Sequence, residues 1–143
     1  MIDPYSPFSL PADLPNNLAQ VVDYWKRLRR GENAIPFSDD LALSSLPDMS
    51  DKLFLLDVFA NPARCRFSQI GSTITDCYGV NVAGKFADEI EARAPLNHVG
   101  AQSSATVEDR GPTFYRHRGY ARVMLPMWGG GRIDIILGAV VQS

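Results

Sequence analysis

The sequence predicts an α+β domain made of two strands, a helical middle and three closing strands. Five segments carry the strand signals, namely 52–60, 65–71, 113–120, 121–128 and 132–141. Apolar runs of this length, bounded by Gly, Pro and Asn, are typical of strands. The turn Asn61-Pro62-Ala63-Arg64 joins the first two into a hairpin, whereas residues 72–112 lack strand pattern and are expected to be helical.

The composition fits one globular domain and excludes several classes of protein. The chain has 143 residues, of which 45% are hydrophobic and 21% are charged, enough to bury a core without disulfides or metal. The formal net charge of −2 provides no basic field for nucleic acid. The first residues lack a signal-peptide pattern, and the longest apolar run, 133–141, is far shorter than the ~20 residues that span a bilayer. We therefore expect a cytoplasmic protein that binds neither nucleic acid nor membranes.

The N-terminal part is predicted as an extended arm over 1–12 and a helical segment over 13–50, ahead of a core domain over 51–143. Prolines in the arm disfavour helix. A helix is expected over 15–30, with Asp13 as its N-cap and Gly31 at its C-terminal end. We expect its apolar stripe to cover the outer face of the sheet, which is the face opposite the middle helices, in its own subunit or a partner's. We also expect the stripe to form a dimer interface. The stripe consists of Leu18, Val21, Val22, Trp25 and Leu28.

Four further helices are expected, at 39–46, 73–78, 86–92 and 95–109. Ser38 and Ser72 are the N-cap candidates for the first two, because their hydroxyls can accept hydrogen bonds from the first turn. Pro47 and Gly79 are expected to stop those helices.

The first and last strands are predicted to lie in the centre of the sheet. Residues 53–59 are apolar apart from Asp57, and residues 133–141 are interrupted only by Asp134 and Gly138. A strand with one solvated face would alternate between apolar and polar residues. Because these two strands do not, we expect both of their faces to be covered.

The order and spacing of these elements resemble a bacterial branch of the PAS superfamily over residues 24–141. The segments that carry the resemblance are Tyr24-Trp25, Ile35-Pro36, 53–58, Arg66-Phe67, Ile70-Gly71-Ser72, Tyr78-Gly79 with Gly84, Leu125-Pro126-Met127 and 133–138. The resemblance implies a five-stranded antiparallel sheet in the order 2-1-5-4-3. It also implies middle helices across one face, a pocket between them and the sheet, and a role as a sensor or interaction module. The N-terminal amphipathic helix is then expected on the other face.

Alternate positions of a strand share a face, which predicts the residues that line such a pocket. The strand candidates are Phe54, Leu56, Val123, Leu125, Met127, Ile135 and Leu137. The helical candidates are Tyr78, Phe86, Ile90, His98 and Ala101, and the small side chains near Ala101 leave space beside helix 95–109. A pocket of this kind suits a small apolar or aromatic ligand.

The chain has no recognisable set of residues with catalytic or metal-ligand spacing. Cys65 and Cys77 lack CxxC spacing and are expected to be reduced. His98 is either a haem ligand, as in some PAS relatives, or a histidine at the helix surface. Arg116 and Arg118 either bind an anion or protect an exposed strand edge. The sequence therefore assigns no cofactor.

The sequence predicts a PAS-like sensory or signalling-interaction protein without catalytic activity. We expect it to bind a small ligand, to form a homodimer and to act through a partner such as a sensor kinase. Two alternatives stay open. One is a protein–protein adaptor whose core is filled by side chains. The other is a small ketosteroid-isomerase-like enzyme, which would need Asp57 and Asp134 in one pocket.

Overall fold

The computed structural model describes residues 8–60 and 63–142. In chain order the elements are α1 (Asn16–Leu28), β1 (Leu53–Phe59), β2 (Arg64–Ile70), α2 (Ser72–Tyr78), α3 (Val99–Asp109), β3 (Thr113–His117), β4 (Tyr120–Gly129) and β5 (Arg132–Gln142). Residues 1–7 of the predicted arm, and Asn61 and Pro62 of the predicted hairpin turn, lie outside the described residues. No helix in the described part of the chain combines the length and the apolar character needed to cross a membrane.

The five strands form one open antiparallel sheet in the order β2-β1-β5-β4-β3. This order confirms the predicted sheet, including the interior positions of β1 and β5. Other parts of the chain cover both faces of β1 and β5. Apolar residues are therefore needed on both faces, and the two sequences do not alternate between apolar and polar residues.

A separate hydrophobic core lies on each face of the sheet. The outer core joins α1 and residues 38–52 to β1, β4 and β5, with Leu18, Val21, Trp25, Met49, Leu55, Val123, Leu125, Met127 and Leu137 among its buried members. The inner core joins α2, α3 and nearby loops to the other face, with Phe54, Leu56, Phe67, Ile74, Tyr78, Val99, Met124 and Ile136 among its members. The same chain therefore covers both faces.

Helix α1 packs its apolar stripe on the sheet of its own chain. Four stripe residues are at most 3% exposed, namely Leu18, Val21, Val22 and Trp25. The indole Nε1 of Trp25 donates a hydrogen bond to the carbonyl oxygen of Pro126 (2.8 Å), and Leu28 packs at the edge of the same core. The assignment of this stripe to a dimer interface is therefore corrected, because the chain itself already covers the apolar area. Homodimerisation as such stays a prediction.

The ends of α1 differ from the predicted ones. The helix begins at Asn16 after Pro15, without a side-chain cap, so Asp13 is not its N-cap. It ends at Leu28, and Gly31 lies beyond it in a turn. Proline is tolerated at the start of a helix because its missing N–H would have no partner there.

The predicted helix at 39–46 is replaced by two short 3-10 turns, Ser38–Asp40 and Leu43–Ser45, and a third, Pro47–Lys52, follows directly. Pro47 starts the third turn rather than stopping a helix. Leu46 and Met49 are buried in the outer core. Burial of these apolar side chains on the sheet outweighs the local helical pattern.

The chain between α2 and α3 contains less helix than expected. The predicted helix at 86–92 is a single 3-10 turn, Ala87–Glu89, and α3 begins at Val99 rather than at residue 95. His98 and Arg110, which flank α3, have φ values of 57° and 55°. A left-handed residue cannot continue a right-handed helix, so these two residues limit α3 at both ends.

Loops cover part of both sheet edges. Beside β2, the backbone N–H of Phe67 donates to the carbonyl oxygen of Lys85 (2.9 Å), and Gly84 N donates to the Phe67 oxygen (2.7 Å). Beside β3, Phe114 N donates to the carbonyl oxygen of Phe8 (2.9 Å). Backbone groups that are paired in this way are not open to strands of another chain.

Candidate functional site

The main candidate site is a cleft between α3 and the inner face of the sheet, beside the β1–β2 hairpin. Its volume is about 620 Å³, within the usual range for small-molecule sites. One side is lined by five α3 residues at helical spacing, Gly100, Ser103, Ser104, Val107 and Glu108. The first three have small side chains or none, so the helix leaves space between itself and the sheet.

The opposite wall is mostly apolar and comes from strand residues. Its members are Val58, Phe59, Cys65, Trp128 and Ile133. Burial raises the pKa of the Cys65 thiol, which therefore stays protonated at neutral pH. This wall provides a packing surface rather than a reactive nucleophile.

An ion pair lies at the β2 side of the cleft mouth. Arg64 donates two hydrogen bonds to the carboxylate of Asp88, from Nε (2.8 Å) and Nη2 (2.7 Å). Its guanidinium carbon lies 3.7 Å from the centre of the Phe86 ring. The hydrogen bond from Arg64 lowers the pKa of Asp88 below its ordinary value. The pair joins the Ala87–Glu89 turn to the sheet, and its two charges offset each other.

The other side of the mouth carries two arginines without an acidic partner in the described part of the chain. The guanidinium of Arg110 lies 5.2 Å from the centre of the Trp128 ring. Arg132 donates hydrogen bonds to the carbonyl oxygens of Val58 (2.7 Å) and Ile133 (3.1 Å). None of the ion pairs between described residues includes either arginine. Ring and carbonyl contacts orient the two guanidiniums without cancelling their charge.

Two smaller cavities are also present, of which one borders the cleft. Arg110 and Trp128 also border one of about 330 Å³, together with residues between Asn33 and Phe37. Another, of about 340 Å³, lies between α2 and the β4–β5 pair. Both are about half the size of the main cleft, which therefore has more space for a ligand than either of them.

A buried polar network attaches α3 to β3 and β4. Arg122 is fully buried and donates hydrogen bonds to Gln102 Oε1 (2.7 Å), the Pro95 oxygen (2.9 Å) and the Asn97 oxygen (2.8 Å). Gln102 Nε2 in turn donates to Thr113 Oγ1 (3.1 Å). Desolvation lowers the pKa of Arg122 to about 10, so the side chain is still charged at neutral pH. Arg122 does not line the cleft, and its contacts indicate a structural role.

The strand residues predicted to line one pocket lie on both faces of the sheet. Phe54 and Leu56 belong to the inner core. The others lie in the outer core or pack against it, namely Val123, Leu125, Met127, Ile135 and Leu137. The grouping is wrong because β4 and β5 are apolar on both faces, so alternation in the sequence cannot assign a face. The register assigns it, since Leu137 pairs with Leu55 whereas Phe54 pairs with Gly138.

Three of the predicted helical residues belong to the inner core or the cleft mouth but do not line the cleft. Tyr78 is buried in the inner core, and its hydroxyl donates to the carbonyl oxygen of Glu91 (2.8 Å). Ile90 packs against the same core. Phe86 is half-buried under Arg64 at the mouth. Any role in ligand binding for these residues stays a prediction.

Ala101 and His98 lie outside the cleft, contrary to the predicted pocket. Both are exposed. Ala101 follows Gly100, but successive helical residues point about 100° apart, so only Gly100 faces the cleft. The ring of His98 contacts Tyr115 (5.7 Å between centroids) instead. This position does not bring the imidazole into the cleft as a haem ligand.

The residues at the cleft mouth were not predicted from the sequence. Trp128 and Arg132 flank the turn Gly129-Gly130-Gly131, and this hairpin was recognisable. Nothing local indicated that the hairpin lies beside the end of α3, where Arg110 is located. Cys65 and Phe67 are two positions apart on β2 and therefore share a face of the sheet. This spacing was the one signal that could have placed the thiol on the inner face, where Phe67 is buried.

The acidic pair required by the enzyme alternative is not in the cleft. Asp57 forms an ion pair with Arg66 (3.3 Å), and Asp134 accepts a hydrogen bond from Ser38 Oγ (3.0 Å). The other carboxylate oxygen of Asp134 is buried and has no hydrogen-bond partner among the described residues. Within residues 8–60 and 63–142, no cluster of three His, Cys, Asp or Glu side chains is arranged to hold a metal ion.

The chain was compared with known proteins at the levels of family, sequence and structure. Neither the protein-family models, nor the curated proteins, nor the solved structures contained a match. The geometry of the cleft is therefore the main guide to the function of the chain.

Proposed function

We propose that the chain is a PAS-like sensory or signalling-interaction module that binds a small, mostly apolar or aromatic ligand and acts through a partner protein. The observation that carries the proposal is the cleft of about 620 Å³ between α3 and the sheet. An apolar cavity of this size with a few polar groups at its mouth is typical of a ligand site. The module has no catalytic activity of its own in this proposal.

The arrangement of the elements supports the PAS-like part of the proposal. The sheet order β2-β1-β5-β4-β3, with α2 and α3 between the second and third strands, agrees with what the resemblance implies. One fold serves many functions, so the fold alone does not identify a ligand or partner. The cleft supplies the functional part of the argument.

The cleft also separates this proposal from its two alternatives. An adaptor with a filled core would have side chains in the space between α3 and β1, where the cleft lies. A ketosteroid-isomerase-like enzyme would need Asp57 and Asp134 in a shared pocket, and neither lines the cleft. Ligand binding is therefore the function that we propose.

A fluorescence titration with N-phenylnaphthylamine, a neutral aromatic probe, tests the proposal. Gly100→Trp should fill the cleft, because a Cβ at this helical position meets no atom within 4 Å and its side chain would point inward. Glycine inside a helix is destabilising by roughly 0.5–1 kcal/mol relative to alanine, so the variant should fold. Ala101→Trp places the same ring on the exposed face of α3 and is the matched control.

We expect wild type and Ala101→Trp to bind the probe, and Gly100→Trp to lose at least about tenfold in affinity, because overpacking leaves no room for the probe. Circular dichroism should show that all three proteins are folded. No binding to wild type, or unchanged affinity in folded Gly100→Trp, would overturn the proposal. Native mass spectrometry of the purified chain would identify any ligand that co-purifies.

A further inference from the structure

We infer that the cleft selects an organic anion, with an aromatic or apolar body and a carboxylate or sulfonate group that Arg110 and Arg132 bind at the mouth. This inference rests on the proposed function and names the chemical class of its ligand. It follows from which charges at the cleft are paired and which are not.

The charges that line the cleft favour a negative ligand. They comprise three guanidiniums, from Arg64, Arg110 and Arg132, and two carboxylates, from Asp88 and Glu108. Arg64 and Asp88 offset each other in a bidentate pair. A second carboxylate, that of Glu89, lies 4.0 Å from Arg64 on the same side of the mouth. Among the residues that line the cleft, the charges left outside this cluster are two arginines and the carboxylate of Glu108, so their sum is positive. Apolar walls concentrate that field, because they exclude the water that would screen it.

The two arginines retain donors that a bound anion can use. A guanidinium has five N–H groups, and Arg132 donates one hydrogen bond to Val58 and one to Ile133. These bonds hold the guanidinium at the rim while other N–H groups stay available. Planar guanidiniums match the geometry of carboxylates and related anions, which accept two parallel hydrogen bonds from them.

Trp128 connects the apolar part of the site to the charged part. Its half-buried indole is part of the apolar wall, and the guanidinium of Arg110 lies 5.2 Å from the ring centre. A flat ligand packed against this indole would bring an acidic substituent close to Arg110. The backbone of Arg110 is held at the C-terminal end of α3, where the residue is left-handed and its N–H donates to the carbonyl oxygen of Thr106 (3.0 Å).

Two probes with the same aromatic body separate the apolar and the anionic contributions. Anilinonaphthalene sulfonate carries a negative charge, whereas N-phenylnaphthylamine is neutral. Their affinities are to be compared in wild type, Arg110→Gln and Arg132→Gln. Arg116→Gln is the matched control, because Arg116 is also an exposed arginine over an aromatic ring, that of Phe114 (5.5 Å), but does not line the cleft.

Arg110→Gly provides a further variant whose folding is not in question. Its φ of 55° is a conformation that glycine adopts without strain, so this change removes the guanidinium and keeps the end of α3. Any loss of anion binding in this variant is then due to the missing charge.

At low ionic strength we expect wild type to bind the sulfonate about tenfold more tightly than the neutral probe. Arg110→Gln, Arg110→Gly and Arg132→Gln should each weaken sulfonate binding roughly fivefold, as for solvent-exposed charge pairs, and leave the neutral probe unaffected. Arg116→Gln should change neither affinity.

The inference would be overturned if wild type bound the two probes with equal affinity. It would also be overturned if substitution of Arg110 or Arg132 changed the sulfonate affinity no more than Arg116→Gln does. In those outcomes, neutral-probe binding that Gly100→Trp abolishes would leave the proposed function standing. If Gly100→Trp leaves binding of the neutral probe unchanged, the cleft itself is not the site. The experiment thus distinguishes failure of the anion selectivity from failure of the proposed function.

Discussion

Arg122 is the residue whose environment differs most from what its type suggests. Arginine is almost never fully buried unless it is paired, yet this side chain is 0% exposed and its hydrogen-bond partners are neutral. Two of its acceptors are backbone carbonyls in the loop before α3, at Pro95 and Asn97. The guanidinium therefore links β4 to that loop and to α3.

We predict that Arg122→Ala lowers the free energy of unfolding by about 3–5 kcal/mol, because it leaves a cavity and several buried acceptors without donors. Urea denaturation followed by circular dichroism measures the change. Arg122→Lys should retain only a small part of the stability that Arg122→Ala loses, since one ammonium cannot reach three separated acceptors as a planar guanidinium does. Arg116→Ala, an exposed control, should change stability by no more than about 0.5 kcal/mol. A loss below that size in Arg122→Ala would contradict the prediction.

Gly138 shows how one small residue determines the arrangement of a face. A Cβ on this residue would lie 2.0 Å from the ring of Phe54, its partner across the β1–β5 pair. The absent side chain makes room for the phenyl ring in the inner core. The sequence contains this glycine, but it does not say which aromatic ring occupies the space.

Helix α1 is the element that the sequence describes best. Its apolar spacing indicates an amphipathic helix, and the structure buries that stripe against β4 and β5. The sequence could not say which surface covers the stripe, because an apolar stripe suits an intramolecular contact and a dimer contact equally well. The hydrogen bond from Trp25 to Pro126 belongs to the intramolecular arrangement.

At this scale we predict that Trp25→Ala lowers the free energy of unfolding by about 3–5 kcal/mol. The indole is 3% exposed and its N–H is hydrogen-bonded, so the change removes packing and leaves the Pro126 oxygen without its donor. Denaturant unfolding measures the loss. Trp25→Phe should lower the free energy of unfolding by less than Trp25→Ala does, since it keeps most of the ring volume. A loss below about 0.5 kcal/mol for Trp25→Ala would contradict this role for α1.

The short elements were harder to predict than the long ones. The segments at 39–46 and 86–92 have helical composition, but they form 3-10 turns. Short helices depend on tertiary packing more than on local propensity, because few internal hydrogen bonds offset the cost of nucleation. Leu46, at the end of the first of these segments, and Met49, three residues beyond it, are buried in the outer core.

Across the whole molecule, hydrogen-bonded carboxylates connect peripheral segments. Arg30 bonds to Asp40, Thr73 to Asp51 and Arg64 to Asp88, and each of these hydrogen bonds lowers the pKa of the carboxyl below its ordinary value. A carboxyl with a lowered folded-state pKa stabilises the fold fully above its ordinary pKa. That contribution is lost as the pH falls through the folded-state value.

We therefore predict that the urea midpoint falls between about pH 5 and pH 2, and that the fall is smaller in Asp88→Asn than in wild type. The substitution removes one group that must be protonated in acid. Salt should reduce the difference, because these carboxyls lie at the surface. An identical pH dependence in Asp88→Asn and wild type would show that the Arg64–Asp88 pair contributes nothing to acid stability.

The sequence by itself determined the number of strands, their order along the chain, the interior positions of β1 and β5, and the amphipathic character of α1. Those features follow from local patterns of apolar residues, and such a pattern is a property of the segment itself, independent of how the rest of the chain packs. The faces of β4 and β5, the burial of Arg122, and the meeting of Arg110, Trp128 and Arg132 at one cleft depended on the tertiary structure. A strand that is apolar on both sides has no preferred face until its register with its neighbours is set. Likewise, residues from separate elements form a site only where the packing of α3 on the sheet brings them together.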